Sequence, residues 1–145
     1  GTVASRYRSS QVWLTYGQFI HYPSYTRGFC APLPRGAYTR RGGRSALRRA
    51  AWIASHLRTF YAGLFKRIRS EDLMLNGEFA RVAWDIAMML PMLEMAEERA
   101  CFVPNVLYVY NNEQPLNDHR LRRADQQAAE RRFRSLPSYL RLDTL

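Results

Sequence analysis

Between Phe79 and Leu93 the chain is almost wholly apolar, and a single carboxylate, Asp85, follows Trp84 inside that run. A stretch of this character belongs in a core, so any fold must account for the acid it carries with it. A carboxylate taken into apolar surroundings without a partner costs about 2–7 kcal/mol or more. Such a group is paired, used as a helix cap, or kept for chemistry. Apolar surroundings also make a carboxylate a better proton acceptor near neutral pH. Two roles fit Asp85 on these grounds. It can cap a helix starting at Ile86, since aspartate is a favoured N-cap, or it can serve a site as a proton acceptor. The roles are compatible, because a capping carboxylate keeps a second oxygen.

The 145 residues amount to one domain's worth of chain, and 47% of them are hydrophobic, enough for a real core. Charge is distributed very unevenly. Residues 1–70 hold twelve Arg, one Lys and no acid, whereas residues 71–118 hold nine acids and two Arg. Residues 119–145 return to basic, and the whole chain carries +10. A surface this basic attracts phosphates, nucleic acid or anionic lipid. The two cysteines, Cys30 and Cys101, form neither a disulfide framework nor a zinc motif, which fits a reduced, cytoplasmic setting. No apolar stretch reaches the roughly 18–20 residues needed to span a bilayer. The first residues show no apolar signal region, and no initiator Met, so a fragment or processed form is expected.

Residues 1–10 show no clear period. Residues 11–22 are rich in β-branched and aromatic types and predict a strand, with Gly17 marking a bulge or a close backbone approach. Residues 23–45, with three prolines and four glycines, predict a long loop. Apolar residues from Ile53 to Ile68 recur at three- and four-residue spacing and predict a helix over 46–69. A polar connection through Asn76-Gly77 leads to a helix over 79–98, with Pro91 kinking it or starting a second piece. Residues 101–110 predict a second strand, and 111–118 turn chemistry. A basic helical tail covers 119–134, ending before Pro137, and the remainder of the basic segment runs to 145. Two strands are few for an independent sheet, so the chain reads as part of something larger, with a core over 11–118.

Four segments in order carry a family resemblance: Val12-Trp-Leu-Thr-Tyr-Gly-Gln18, Ser55-His-Leu-Arg-Thr-Phe60, Trp84-Asp85 through Pro91-Met-Leu-Glu-Met-Ala96, and Leu107-Tyr-Val-Tyr-Asn111 followed by Pro115-Leu-Asn-Asp118. Together, over roughly residues 11–140, they resemble one group within glycosyltransferase family 2. The resemblance implies an α/β fold of GT-A type, a nucleotide-diphospho-sugar donor, an acceptor hydroxyl, and a divalent metal (Mg or Mn). The donor half of that fold carries nucleotide-binding strands and an Asp-x-Asp metal motif. No Asp or Glu precedes residue 71, so the chain resembles the acceptor-side, C-terminal half, with the nucleotide-binding half missing and no metal ligands of its own. The isolated chain is then expected to be inactive in sugar transfer.

Asp85 matches the acid that serves inverting members as general base, taking the acceptor hydroxyl's proton as that oxygen attacks the anomeric carbon. The resemblance also implies substrate contacts for Trp84, His56, Arg58, Asn111, Asn117 and Asp118. By residue type alone, His56 fits a satisfied core histidine beside an apolar stripe, and the Asx residues fit turns. Tyr16 and Gln18 share a strand face and flank Gly17, which suits sugar stacking and hydroxyl recognition as well as packing. His21, His56 and His119 show no metal-ligand spacing. The arginines between Arg35 and Arg49, and those between Arg120 and Arg134, suit a solvated surface, a diphosphate, or peripheral contact with an anionic membrane. No nucleic-acid motif accompanies them. The alternative reading is a non-catalytic basic module or remnant that holds an anionic polymer or a membrane surface.

Overall fold

The computed structural model describes residues 1–114 and 122–145. In chain order the described elements are a short helix α1 (Thr2–Arg6), β1 (Leu14–Tyr22), a hairpin of β2 (Arg40–Arg41) and β3 (Arg44–Ser45), β4 (Thr59–Phe60), and a single helical turn α2 (Ala62–Phe65). A second hairpin of β5 (Met74–Leu75) and β6 (Glu78–Phe79) follows, then helix α3 (Trp84–Ala96), the long strand β7 (Ala100–Asn111) and helix α4 (Arg123–Ser135). The fold is α/β. β1 lies at the centre of a three-stranded sheet, antiparallel to β4 and parallel to β7.

α3 belongs to the connection between the two parallel strands. Ten of its thirteen residues are buried, from Ile86 to Ala96. A helix that is apolar on all sides is a core helix, and Met89, Leu90, Leu93 and Ala96 pack with Leu14 and Tyr16 of β1 in the main cluster. The opposite side of β1 is held by hydroxyls: Thr15 Oγ1 lies 2.6 Å from Thr59 Oγ1, which lies 2.8 Å from the Tyr7 hydroxyl just beyond α1. Pro91 sits within α3 without dividing it.

Both predictions for Gly17 are realised. The β1–β7 register shifts at Gly17/Gln18 and again at Gln18/Phe19, where Val103 gives way to Val106 and then Tyr108. A Cβ at Gly17 would also lie 3.3 Å from Leu57 N and 3.6 Å from His56 O, so the 56–57 backbone crosses directly over the glycine. Gly28 is tighter still. A Cβ there would come within 2.5 Å of the ring of Phe19, which is buried. Gly28→Ala is therefore expected to cost about 1–3 kcal/mol through overpacking. Gly36→Ala, with nothing nearer than Thr39 Oγ1 at 3.9 Å, should stay within about 0.5 kcal/mol of native. Urea midpoints of the two variants provide the comparison.

Several sequence expectations are corrected. The helix over 46–69 is absent. The segment begins with a 3-10 turn at Ala46–Arg48, becomes extended, forms β4 and closes with the α2 turn. Its apolar spacing marks no common face: Leu64 and Ile68 are buried, while Leu57, Tyr61 and Phe65 are exposed. Edge pairing of Thr59–Phe60 with Leu14–Thr15 prevails over local helical preference. The loop 23–45 contains the β2–β3 hairpin, whose Gly42 and Gly43 both take positive φ, as a two-residue type I′ connection requires. Asn76-Gly77 makes the same kind of turn between β5 and β6. Residues 2–6 are helical. The second strand lies close to its expected bounds, and the C-terminal helix expected over 119–134 is observed over Arg123–Ser135, with 119–121 outside the described residues. Among the described residues no helix is long and apolar enough to cross a membrane.

Candidate functional site

Asp85 is not the cap of its helix. α3 begins at Trp84, after Ala83 in the left-handed region, and the Ala83 carbonyl accepts from the Ile86 and Ala87 N–H groups. Asp85 is thus the second residue of the first turn, where the helix dipole favours a negative charge. Its side chain, 27% exposed, borders a cleft of about 770 Å³. The cleft lies at the carboxyl ends of the parallel strands β1 and β7 and at the N-terminus of α3. Open α/β sheets characteristically bind ligands at that end.

A chain of polar contacts leads into the cleft. Arg58, whose side chain is 8% exposed, places Nη1 3.1 Å from Asp85 Oδ2. Nη1 has no hydrogen-bond partner, so the contact is an ion pair without hydrogen-bond alignment. Arg58 Nη2 donates to His56 Nε2 at 2.8 Å, and the other imidazole nitrogen, Nδ1, lies 2.8 Å from Ser55 Oγ. A guanidinium can only donate, which makes Nε2 the acceptor and puts the ring proton on Nδ1, facing the serine oxygen. The imidazole stacks on Tyr108, with centroids 4.5 Å apart and planes 14° apart. Burial, reinforced by the Arg58 charge and only partly offset by Asp85, lowers the His56 pKa to about 4. His56 is therefore neutral at physiological pH and positions Arg58; it does not shuttle protons there.

This has a consequence for stability. Above about pH 6.5 His56 is neutral both folded and unfolded. As the pH falls from there toward about 4, the unfolded chain takes up the proton first, so stability declines through that window and this contribution levels off below it. Arg58, Asp85, Tyr108 and Tyr110 surround the ring. His56→Gln, which can still accept from Arg58, is expected to reduce the loss of stability between pH 7 and pH 5 in urea titrations.

The structure brings Trp84, Asp85, His56, Arg58 and Asn111 to one cleft. It does not bring Tyr16 or Gln18 there. Both are buried. The Tyr16 hydroxyl donates to Ala31 O and accepts from Leu33 N–H, while Gln18 Nε2 donates to Cys30 O at 2.8 Å. They secure the 30–33 loop against the sheet. Burial pushes the Tyr16 phenol and the Cys30 thiol up, which keeps both protonated. Asn117, Asp118 and His119 lie outside the described residues.

Sequence reasoning missed Phe19, Tyr108, Tyr110 and Asn112, and weighed His21 only as a metal ligand. All five line the cleft. Strand alternation was the available signal: 19 and 21 share one face of β1, and 108 and 110 share one face of β7.

The arginine clusters also divide. Arg48 is buried against Glu94, and Arg134 bonds Glu130 and the carbonyls of Leu47, Arg48 and Ala50. These are structural cations. Arg35, Arg41 and Arg44 remain exposed. Among the described residues no three His, Cys, Asp or Glu side chains converge as a metal site. The described surroundings of Asp85 thus hold no ready donor set for a divalent metal. Comparison with protein-family models, with characterised proteins and with solved structures gives no match.

Proposed function

We propose that the cleft is the acceptor side of a glycosyltransferase, with Asp85 as general base. The observation that carries this reading is the placement of Asp85: a carboxylate at a helix N-terminus, partly exposed on a cleft that Trp84 and the stacked Tyr108 and His56 also line. An acceptor hydroxyl lying against Asp85 would give up its proton as its oxygen bonds to the anomeric carbon. The donor's nucleotide diphosphate would leave from the opposite face, inverting that carbon. Arg58, aligned by His56, pairs with the carboxylate. In this reading a donor half, as the resemblance implies, would supply nucleotide-sugar binding and any metal.

The test joins the chain to a nucleotide-sugar-binding half and follows product formation with a panel of donors and acceptors. Transfer that depends on Asp85 supports the reading, and transfer undiminished in Asp85→Asn removes it.

A further inference from the structure

We infer that the ligand lying against Asp85 is an uncharged saccharide, not a phosphate-bearing or acidic acceptor. The inference deepens the acceptor-site reading and rests on it. Its basis is how the charges of the cleft are used. Arg58 pairs with Asp85 and donates to His56, its Nη1 is buried, and Glu130, also on the cleft wall, accepts from Arg134 Nε at 2.7 Å. A site that reads phosphate or carboxylate presents arginine forks or lysines to its ligand. This chain carries +10, yet the exposed arginines of the β2–β3 hairpin lie away from the cleft.

Among the described residues, the rest of the cleft lining is largely carboxamide and aromatic. The carboxamides of Asn111, Asn112, Gln114 and Gln126 border it. A carboxamide donates and accepts hydrogen bonds, as a sugar hydroxyl does. Trp84 is 54% exposed at the rim, and Phe29 and Tyr108 are exposed as well. Flat aromatic faces bury the apolar C–H faces of pyranose rings at low entropic cost. The cleft volume falls within the usual range for small-molecule sites, about 300–1,000 Å³. Aromatic platforms with interspersed amides, and cations already engaged among the described residues, select a neutral polyhydroxylated ligand.

The experiment titrates the whole chain with linear neutral hexose and N-acetylhexosamine oligomers, with uronic-acid oligomers of matched length, and with inorganic pyrophosphate. NMR follows the Trp84 indole and the side-chain amides of Asn111 and Asn112. At least one neutral oligomer is expected to shift these resonances, with affinity nearly constant between about 20 and about 300 mM salt. Trp84→Ala should weaken that binding by about tenfold. Trp84 is solvent-exposed, so the variant should fold, and Trp84→Phe should retain most of the affinity. Shifts produced only by the acidic oligomers or pyrophosphate, falling steeply with salt, would overturn the inference, as would silence from every neutral oligomer. Sugar transfer to a charged acceptor would leave the transferase reading standing without this one. Neutral saccharide binding at Trp84, with no transfer by the chain once joined to a nucleotide-sugar-binding half, would do the reverse.

Discussion

Glu94→Ala is expected to lower the folding free energy by about 3–5 kcal/mol, a large share of what a small domain possesses. Glu94 and Arg48 are each 1% exposed. Glu94 Oε1 accepts from Ser45 Oγ at 2.6 Å, from Arg48 Nε at 2.7 Å and from Ser138 Oγ. Oε2 accepts from Arg48 Nη2 at 2.6 Å and Tyr139 N–H at 3.0 Å, while Arg48 Nη1 donates to Phe133 O. One carboxylate thus ties the β3 turn, the core helix α3 and the segment after α4 together. Its removal leaves a guanidinium buried without a counter-charge and three further donors without an acceptor, and the first of these dominates. Arg48→Met combined with Glu94→Gln keeps an acceptor for the serines and the Tyr139 N–H but buries no charge, and should recover more than half of the loss. Urea unfolding of Arg48→Met, Glu94→Gln and the pair, treated as a double-mutant cycle, gives the coupling directly. A Glu94→Ala chain within about 1 kcal/mol of native would show that the network contributes little.

Glu94 also shows how far the sequence could be read. The apolar run ending at Leu93 pointed to an acid in a core, and the acid it drew attention to was Asp85. Asp85 sits at the cleft, and the acid that is buried is the next residue after the run. The distinction lies in partners distant along the chain: Arg48, 46 residues earlier, takes Glu94, and Arg58 pairs with Asp85. No local pattern contains either pairing. The two long strands were legible because β-branched and aromatic residues crowd them. The segment 46–69 was not, because its helix-like spacing arises by chance along a path shaped by Gly17, which lets the 56–57 backbone cross the sheet, and by edge pairing with β1.

The same face problem explains Tyr16 and Gln18. Alternation along β1 places 16 and 18 together and 17, 19 and 21 together. Both sets carry aromatic residues, so composition does not say which faces a ligand. The bare Gly17 decides it: His56 and Leu57 pack over the odd-numbered face, and the cleft opens beyond them at Phe19 and His21. His56 and Arg58 reached the candidate site through the resemblance of the Ser55–Phe60 run. Their chemistry there, a neutral imidazole holding a guanidinium, follows from burial and donor direction.

Under the transferase reading, Asp85→Asn is expected to reduce turnover by about 10²–10⁴-fold, the usual contribution of a positioned general base. Asparagine preserves the shape of the side chain but cannot accept the acceptor's proton. The interaction it removes matters as the hydroxyl attacks, so kcat should fall with kcat/KM while saccharide binding changes little. The substitution also deprives Arg58 of its counter-charge in a site where that cation is 8% exposed. Part of the cost will therefore appear as stability, and the urea midpoint has to be measured on the same preparation. His56 limits that cost, because its Nε2 continues to accept from Arg58 Nη2. Arg58→Gln separates the two roles: the base remains while the group paired with it is neutral, and turnover should survive better than in Asp85→Asn. Were Arg58→Gln to abolish transfer while Asp85→Asn left it near native, the arginine, not the carboxylate, would be the residue on which the chemistry depends.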